Sequence, residues 1–209
     1  MTRPLVMLMH GGFWQAAYDA RLMDALDEDL RQDGWRTRNI EYRRLGNGGG
    51  WPATFDDLLA EVDAVGSASV VTVGHSAGGQ LALWAAAERG LAGAVSQAGV
   101  LDLRGAATNR VGRDTVQRLL GGMPDAVPER YAAASPLERV PLGLPQLVVH
   151  GDRDDTVPVA MSRAYVEAGR AAGDVVEYVE LAGVGHYEHI DPSSTAWAAV
   201  RAWLDARWG

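Results

Sequence analysis

The chain has 209 residues, of which 47% are hydrophobic and 22% charged, the proportions of an ordinary globular protein long enough to bury its own core. A formal net charge of -8 argues against general affinity for nucleic acid or anionic membrane surfaces. The absence of cysteine excludes disulfides, thiolate nucleophiles and Cys-bound metals.

In chain order, the apolar run 5–9 ends at glycines and predicts a strand buried on both faces. It is too short for a signal-peptide core, and no apolar stretch reaches the length of a bilayer span. The expectation is a cytoplasmic protein with no membrane partner. Residues 18–32 carry Leu22, Met23, Leu26 and Leu30 at helical spacing, with Gly34 as the stop. A second strand is predicted over 35–42, followed by a flexible Gly-rich loop over 46–52. Thr54 is the predicted cap of a helix whose Phe55, Leu58, Leu59, Val62 and Val65 share one face. Further strands are predicted over 70–73, 91–96, 147–150 and 175–181, with helices over 77–89, 161–172 and 193–208. Segment 102–131, broken by Gly121-Gly122, Pro124 and Pro128, is the least regular part and reads as a short irregular insertion with helical character. Alternating strands and helices without a linker or repeat imply one α/β domain over 1–209. Its sheet is mostly parallel, of about six strands, with helices on both faces.

In such sheets, reactive groups gather beyond the carboxyl ends of the strands. Gly74-His75-Ser76-Ala77-Gly78 is a G-x-S-x-G run between a β-branched segment and an Ala-rich helix. A strand that turns sharply into a helix needs small residues on either side of the apex, and it presents Ser76 there as a nucleophile. The Ala77 N–H, at the helix start, is a natural donor to an oxyanion. A second donor is expected from His10-Gly11-Gly12-Phe13-Trp14, with the Gly12 and Phe13 amides as candidates and His10 holding the loop.

A serine hydroxyl needs a base, and an imidazole titrates in the right range. Of five histidines, His186 and His189 follow the last strand. His186, directly after a Gly-rich turn, is preferred, and His189 reads as solvent-facing. His186, Glu188 and His189 do not have metalloprotease spacing, and no metal or organic cofactor is expected. The carboxylate that orients the base should follow the fifth strand. Asp152, Asp154 and Asp155 all lie there, and spacing alone does not separate Asp154 from Asp155.

Together these motifs resemble the α/β-hydrolase superfamily, in the branch of small esterases, kynurenine-formamidase-like enzymes and prolyl-oligopeptidase-type catalytic domains. His10-Gly11-Gly12-Phe13-Trp14 is similar to the oxyanion segment of that branch. His150-Gly151-Asp152-Arg153-Asp154-Asp155-Thr156-Val157-Pro158 is similar to its H-G-x-x-D-x-x-V-P pattern. The resemblance implies Asp154 as the triad acid with Ser76 and His186, and a structural role for Tyr42-Arg43-Arg44. It also implies an α/β-hydrolase fold; two departures are expected, since the opening antiparallel strands of many relatives have no counterpart here and the lid region is short, leaving a minimal lid.

Trp14 and Trp51 fall in or near loops expected to ring the pocket, where they would favour a flat or apolar group. The resulting reading is a serine hydrolase acting on small-molecule carboxylic esters, with aryl-formamide hydrolysis as the alternative. Peptidase activity ranks lower, since no gating domain is recognisable. A non-catalytic binding protein on the same fold is the reading from another class. The sequence leaves both a monomer and a homodimer open.

Overall fold

A computed structural model describes residues 3–209; Met1 and Thr2, where the leader reading starts, lie outside the described residues. Six strands form one sheet: β1 (Leu5–Met9), β2 (Thr37–Ile40), β3 (Val70–His75), β4 (Gly93–Gln97), β5 (Gln146–Gly151) and β6 (Val176–Leu181). Their order is β2-β1-β3-β4-β5-β6, and every neighbouring pair is parallel. The sheet is therefore wholly parallel, as the strand–helix alternation predicts in outline.

Side chains of alternate residues leave a strand on opposite faces, so a sheet covered on both sides needs apolar residues at every position. β1 supplies them: Val6 and Leu8 enter one core, while Leu5, Met7 and Met9 enter cores on the other face. The first of these faces is covered by α1 (Asp24–Gln32) and α8 (Thr195–Trp208), through Leu26, Leu30, Trp197, Val200 and Leu204. The other is covered by α2 (Ala53–Asp63), α3 (Ala77–Arg89) and α7 (Val159–Ala171). Among the described residues no helix is long and apolar enough to cross a membrane.

Two local expectations need correction, and the insertion is specified further. The helix predicted from residue 18 begins as a 3-10 turn, Ala20–Met23, and becomes α-helical only at Asp24. Asp19 caps that turn, accepting from the Arg21 N–H, and the Asn39 side-chain amide donates to Ala20 O and Asp24 Oδ1 at the junction. Thr54 does not cap α2, which starts one residue earlier. Its hydroxyl accepts from the Gly50 N–H at 2.9 Å and donates to the Arg43 carbonyl at 2.6 Å, tying the Gly-rich loop to the segment after β2. The irregular segment resolves into α4 (Leu103–Thr108), α5 (Thr115–Leu120) and α6 (Pro128–Ala134). These short helices bury Val116, Leu119, Leu120, Tyr131 and Ala134 in the core.

The chain winds from β1 to β2 on one side, then crosses back to β3 on the other side of β1. That reversal opens a crevice past the carboxyl ends of β1 and β3, where an open α/β sheet binds ligands. The loop after β1 begins at His10, and the turn after β3 begins at Ser76.

Candidate active site

Ser76 stands between β3 and α3 with φ 57° and ψ -120°, a left-handed conformation that is unfavourable for a residue with a Cβ. The flanking glycines permit it. A Cβ on Gly74 would lie 1.9 Å from the Gly78 carbonyl oxygen, and one on Gly78 would lie 1.9 Å from that of Met9. Strand and helix thus approach closer than any side chain allows. Ala77 opens α3, so its N–H has no partner inside the helix and sits at the positive end of the helix dipole.

The loop after β1 holds three successive residues at positive φ: Gly12 at 101°, Phe13 at 50° and Trp14 at 55°. Gly12 has little choice, because a Cβ there would come within 2.4 Å of Tyr18 Cβ. The loop is fastened at several points. The Tyr42 hydroxyl donates to the His10 carbonyl at 2.7 Å, and the rings of His10 and Tyr42 stack with centroids 4.3 Å apart. His10 Nδ1–H donates to the Gly11 carbonyl at 2.8 Å, and the Arg44 guanidinium donates to the Tyr18 carbonyl. His10 and the Tyr42–Arg44 segment therefore have the structural roles expected of them.

Trp14 does not have its expected role. Its side chain is wholly buried, and Nε1–H donates to Gln80 Oε1 on α3 at 3.2 Å. The run of positive φ turns Phe13 toward the crevice and Trp14 into the core, where it pins the loop. Trp51 also falls short of the crevice: its ring packs edge-on against Phe55, 4.8 Å between centroids, and borders the core.

Ser76 lines a narrow cavity of about 70 Å³ together with Gly12, Phe13, Tyr18, His75 and His186. A larger hollow, about 400 Å³, lies at the opposite end of the sheet against Leu144, Asp174 and Arg207. It offers no nucleophile, and its buried Asp174 carboxylate is committed to the N–H groups of Leu142 and Gly143 and the Gln146 amide.

His186 Nδ1–H donates to Asp154 Oδ2 at 2.6 Å. That bond fixes the tautomer and leaves Nε2 as the ring's available base. Among the described residues no hydrogen bond joins Ser76 to His186; such contacts are commonly long without substrate and tighten when it binds. The Asp154 side chain is fully buried, and Oδ2 also accepts from His150 Nε2–H at 3.1 Å. Oδ1 accepts the backbone N–H groups of Thr156 and Val157. Burial alone would raise the pKa of this carboxyl, but the hydrogen bonds from His150 and His186 outweigh it and hold the group well below the usual carboxylate range. Asp155, which spacing alone could not exclude, is exposed, and its carboxylate accepts only the neighbouring Thr156 hydroxyl.

Two supporting histidines were not apparent as such in the sequence. His150 is buried between Asp154 and the Ser162 hydroxyl, which donates to Nδ1 at 2.7 Å. His75, beside Ser76 in the elbow, donates from Nε2–H to the His186 carbonyl at 3.0 Å and so ties the turn of Ser76 to the loop that carries His186. His189, expected in solvent, is fully buried, its ring 6.2 Å from those of His75 and His150. The short turn Tyr187–Ile190 directs it inward against the sheet, where the Gln97 side chain donates to its carbonyl at 2.8 Å.

Burial drives the imidazoles of His10 and His75 below their ordinary pKa and that of His189 down to about 3. The unfolded chain takes up these protons below pH 6.5, while the folded chain refuses them. The stability these groups contribute is therefore fully present above pH 6.5 and is lost as pH falls below it, toward 3 in the case of His189. His189 contributes about 1 kcal/mol per pH unit across that window, and His10 and His75 act in the same direction. Urea midpoints should accordingly drop between pH 7.5 and pH 5, and a flat profile would contradict the burial of these rings.

The model of the prolyl oligopeptidase family matches residues 41–207. Esterase LipC of Mycobacterium tuberculosis is 29% identical over 222 residues, covering 92% of this chain; the chain spans 55% of that relative's length. A truncated carbohydrate esterase from gut microbiota superposes with a TM-score of 0.82 at 19% identity, covering 99% of this chain and 86% of the other. A hormone-sensitive lipase from a metagenome library gives 0.75 at 22% identity, covering 98% and 78%. These structural likenesses speak for a shared fold. The family match covers most of the sequence, including Ser76, Asp154 and His186, and on that ground the chain belongs to the prolyl oligopeptidase family, within the α/β-hydrolase superfamily.

Proposed function

We propose that this protein is a serine hydrolase that cleaves small carboxylic esters through an acyl-enzyme on Ser76. The observation that carries the reading is the bond from His186 Nδ1–H to buried Asp154, on a base that shares a cavity wall with a nucleophile at a strained elbow. In the first half-reaction, His186 Nε2 takes the Ser76 proton as Oγ bonds to the carbonyl carbon. The carbonyl electron pair moves onto oxygen, where the Ala77 N–H and those of Gly12 or Phe13 receive it. Collapse expels the leaving group, which takes the proton from His186. Water then repeats the sequence on the acyl-enzyme and releases the acid.

Asp154 stays ionised and stabilises the imidazolium formed at each transfer, consistent with the direction of its pKa. Carboxylic-ester hydrolysis is favoured over aryl-formamide hydrolysis because the relative matched over most of this chain bears the name esterase.

Labelling with a fluorophosphonate should modify Ser76, and p-nitrophenyl acetate should be turned over with a higher kcat/KM than N-formylkynurenine. Absence of labelling with no turnover of either compound would favour a binding protein on this fold. The reverse order of kcat/KM would favour the formamide.

A further inference from the structure

The aromatic wall that the sequence sought in Trp14 and Trp51 is supplied by other residues. Among the large apolar side chains exposed on the described surface are Tyr18, 43% exposed, and Tyr187, 65% exposed, and both line the cavity that holds Ser76. They stand on different sides of it. Tyr18 lies against Gly12 in the oxyanion loop, whereas Tyr187 follows His186, its ring edge-on to the imidazole with centroids 5.3 Å apart.

The side matters chemically. The group that departs must sit in the cavity beside the imidazole that protonates it, so a residue that flanks His186 and also lines the cavity borders the space for the leaving group. We propose that Tyr187 is a specificity-determining residue whose ring forms a platform for a flat aromatic leaving group, selecting aryl esters over alkyl esters. The proposal rests on the reading of Ser76 and His186 given above.

Two features support it. Tyr187 has no packing duty: most of its surface is exposed, although it is a large apolar residue. Yet the backbone beneath it is anchored. The Glu188 carboxylate accepts the Gly185 N–H at 3.2 Å, the Asp191 N–H donates to the Glu188 carbonyl at 3.2 Å, and His189 of the same turn is fully buried. A ring held at a fixed place beside the base loses little freedom when a second ring stacks on it. Tyr18 and Phe13 leave the oxyanion side aromatic as well; the His75 ring, 4.6 Å from that of His186, is buried in the elbow, so Tyr187 is the exposed ring beside the proton donor.

The test compares phenyl acetate with ethyl acetate. Both leave the same acetyl-enzyme, so kcat/KM differs only in steps up to acylation, where the leaving group is still present. In Tyr187→Ala the ratio of kcat/KM for phenyl acetate to that for ethyl acetate should fall about fivefold, the scale of one aromatic pair. Tyr187→Phe should keep the wild-type ratio, since the ring and not the hydroxyl forms the platform. Should Tyr187→Ala fail to fold, Tyr187→Leu should show the same fall in ratio. An unchanged ratio in the Ala and Leu variants, including a case where both substrates suffer equally, would overturn the proposal. Wild-type protein inactive on both esters would instead refute the assignment of Ser76 as an ester-cleaving nucleophile.

Discussion

Replacing Ser76 by alanine is expected to lower kcat for ester hydrolysis by a factor on the order of 10⁵ to 10⁶ while leaving the protein folded. Three observations make this a clean experiment. The backbone at residue 76 is held at positive φ by the close approach of Gly74 and Gly78, and alanine meets the same strain as serine. The residue is 2% exposed and removes only one oxygen from a cavity wall, so little packing is lost. The Ala77 N–H and the Gly12–Phe13 segment remain in place and should sustain only the residual activity that transition-state binding gives without a nucleophile. Turnover above a few per cent of wild type in purified Ser76→Ala protein would place the chemistry on another group.

The second large effect is expected at Asp154. An asparagine has the same shape but must present an NH₂ group to one of two sets of donors. Facing His186 and His150, it opposes two ring N–H groups; turned over, it opposes the N–H groups of Thr156 and Val157. In the first orientation His186 is driven to the tautomer that carries its proton on Nε2, which cannot accept from Ser76. The expected loss in kcat for Asp154→Asn is about 10⁴, the scale for such a tautomer error. In the turned-over orientation the N–H groups of Thr156 and Val157 go unpaired, at about 1–3 kcal/mol each, and in the other an amide N–H is set against the His150 ring N–H, so the urea midpoint should fall as well. Asp155→Asn serves as the comparison: that side chain is exposed and bonded only to Thr156, and its substitution should change kcat less than twofold. Equal losses in the two variants would remove Asp154 from its proposed role.

The sheet and the elbow were legible in the sequence because both are local. A strand buried on both faces declares itself through five consecutive apolar residues, Leu5–Met9, and α8 through the spacing of Trp197, Val200 and Leu204. The sharp turn at Ser76 is written in Gly74 and Gly78, because the atoms a Cβ would strike there include those of the turn itself. Candidate acids and bases could be narrowed to Asp154 or Asp155 and His186 or His189 by their position after predicted strands.

What tertiary structure alone decided is which way each loop side chain faces. Trp14 and Phe13 are adjacent, and no period in the sequence says that one enters the core while the other reaches the cavity. Their positive φ angles and a hydrogen bond to Gln80, 66 residues away, settle it. His189 is drawn inward by a turn packed against a distant strand, and Tyr187 is left at the mouth by the same turn. Asp154, which the motif resemblance singled out but spacing did not, is bonded to His186, 32 residues on, and His75 acquires its partner 111 residues away. Propensity, capping and periodicity act within a few residues of each position. The direction of a side chain in a loop depends on neighbours that only the folded chain brings near.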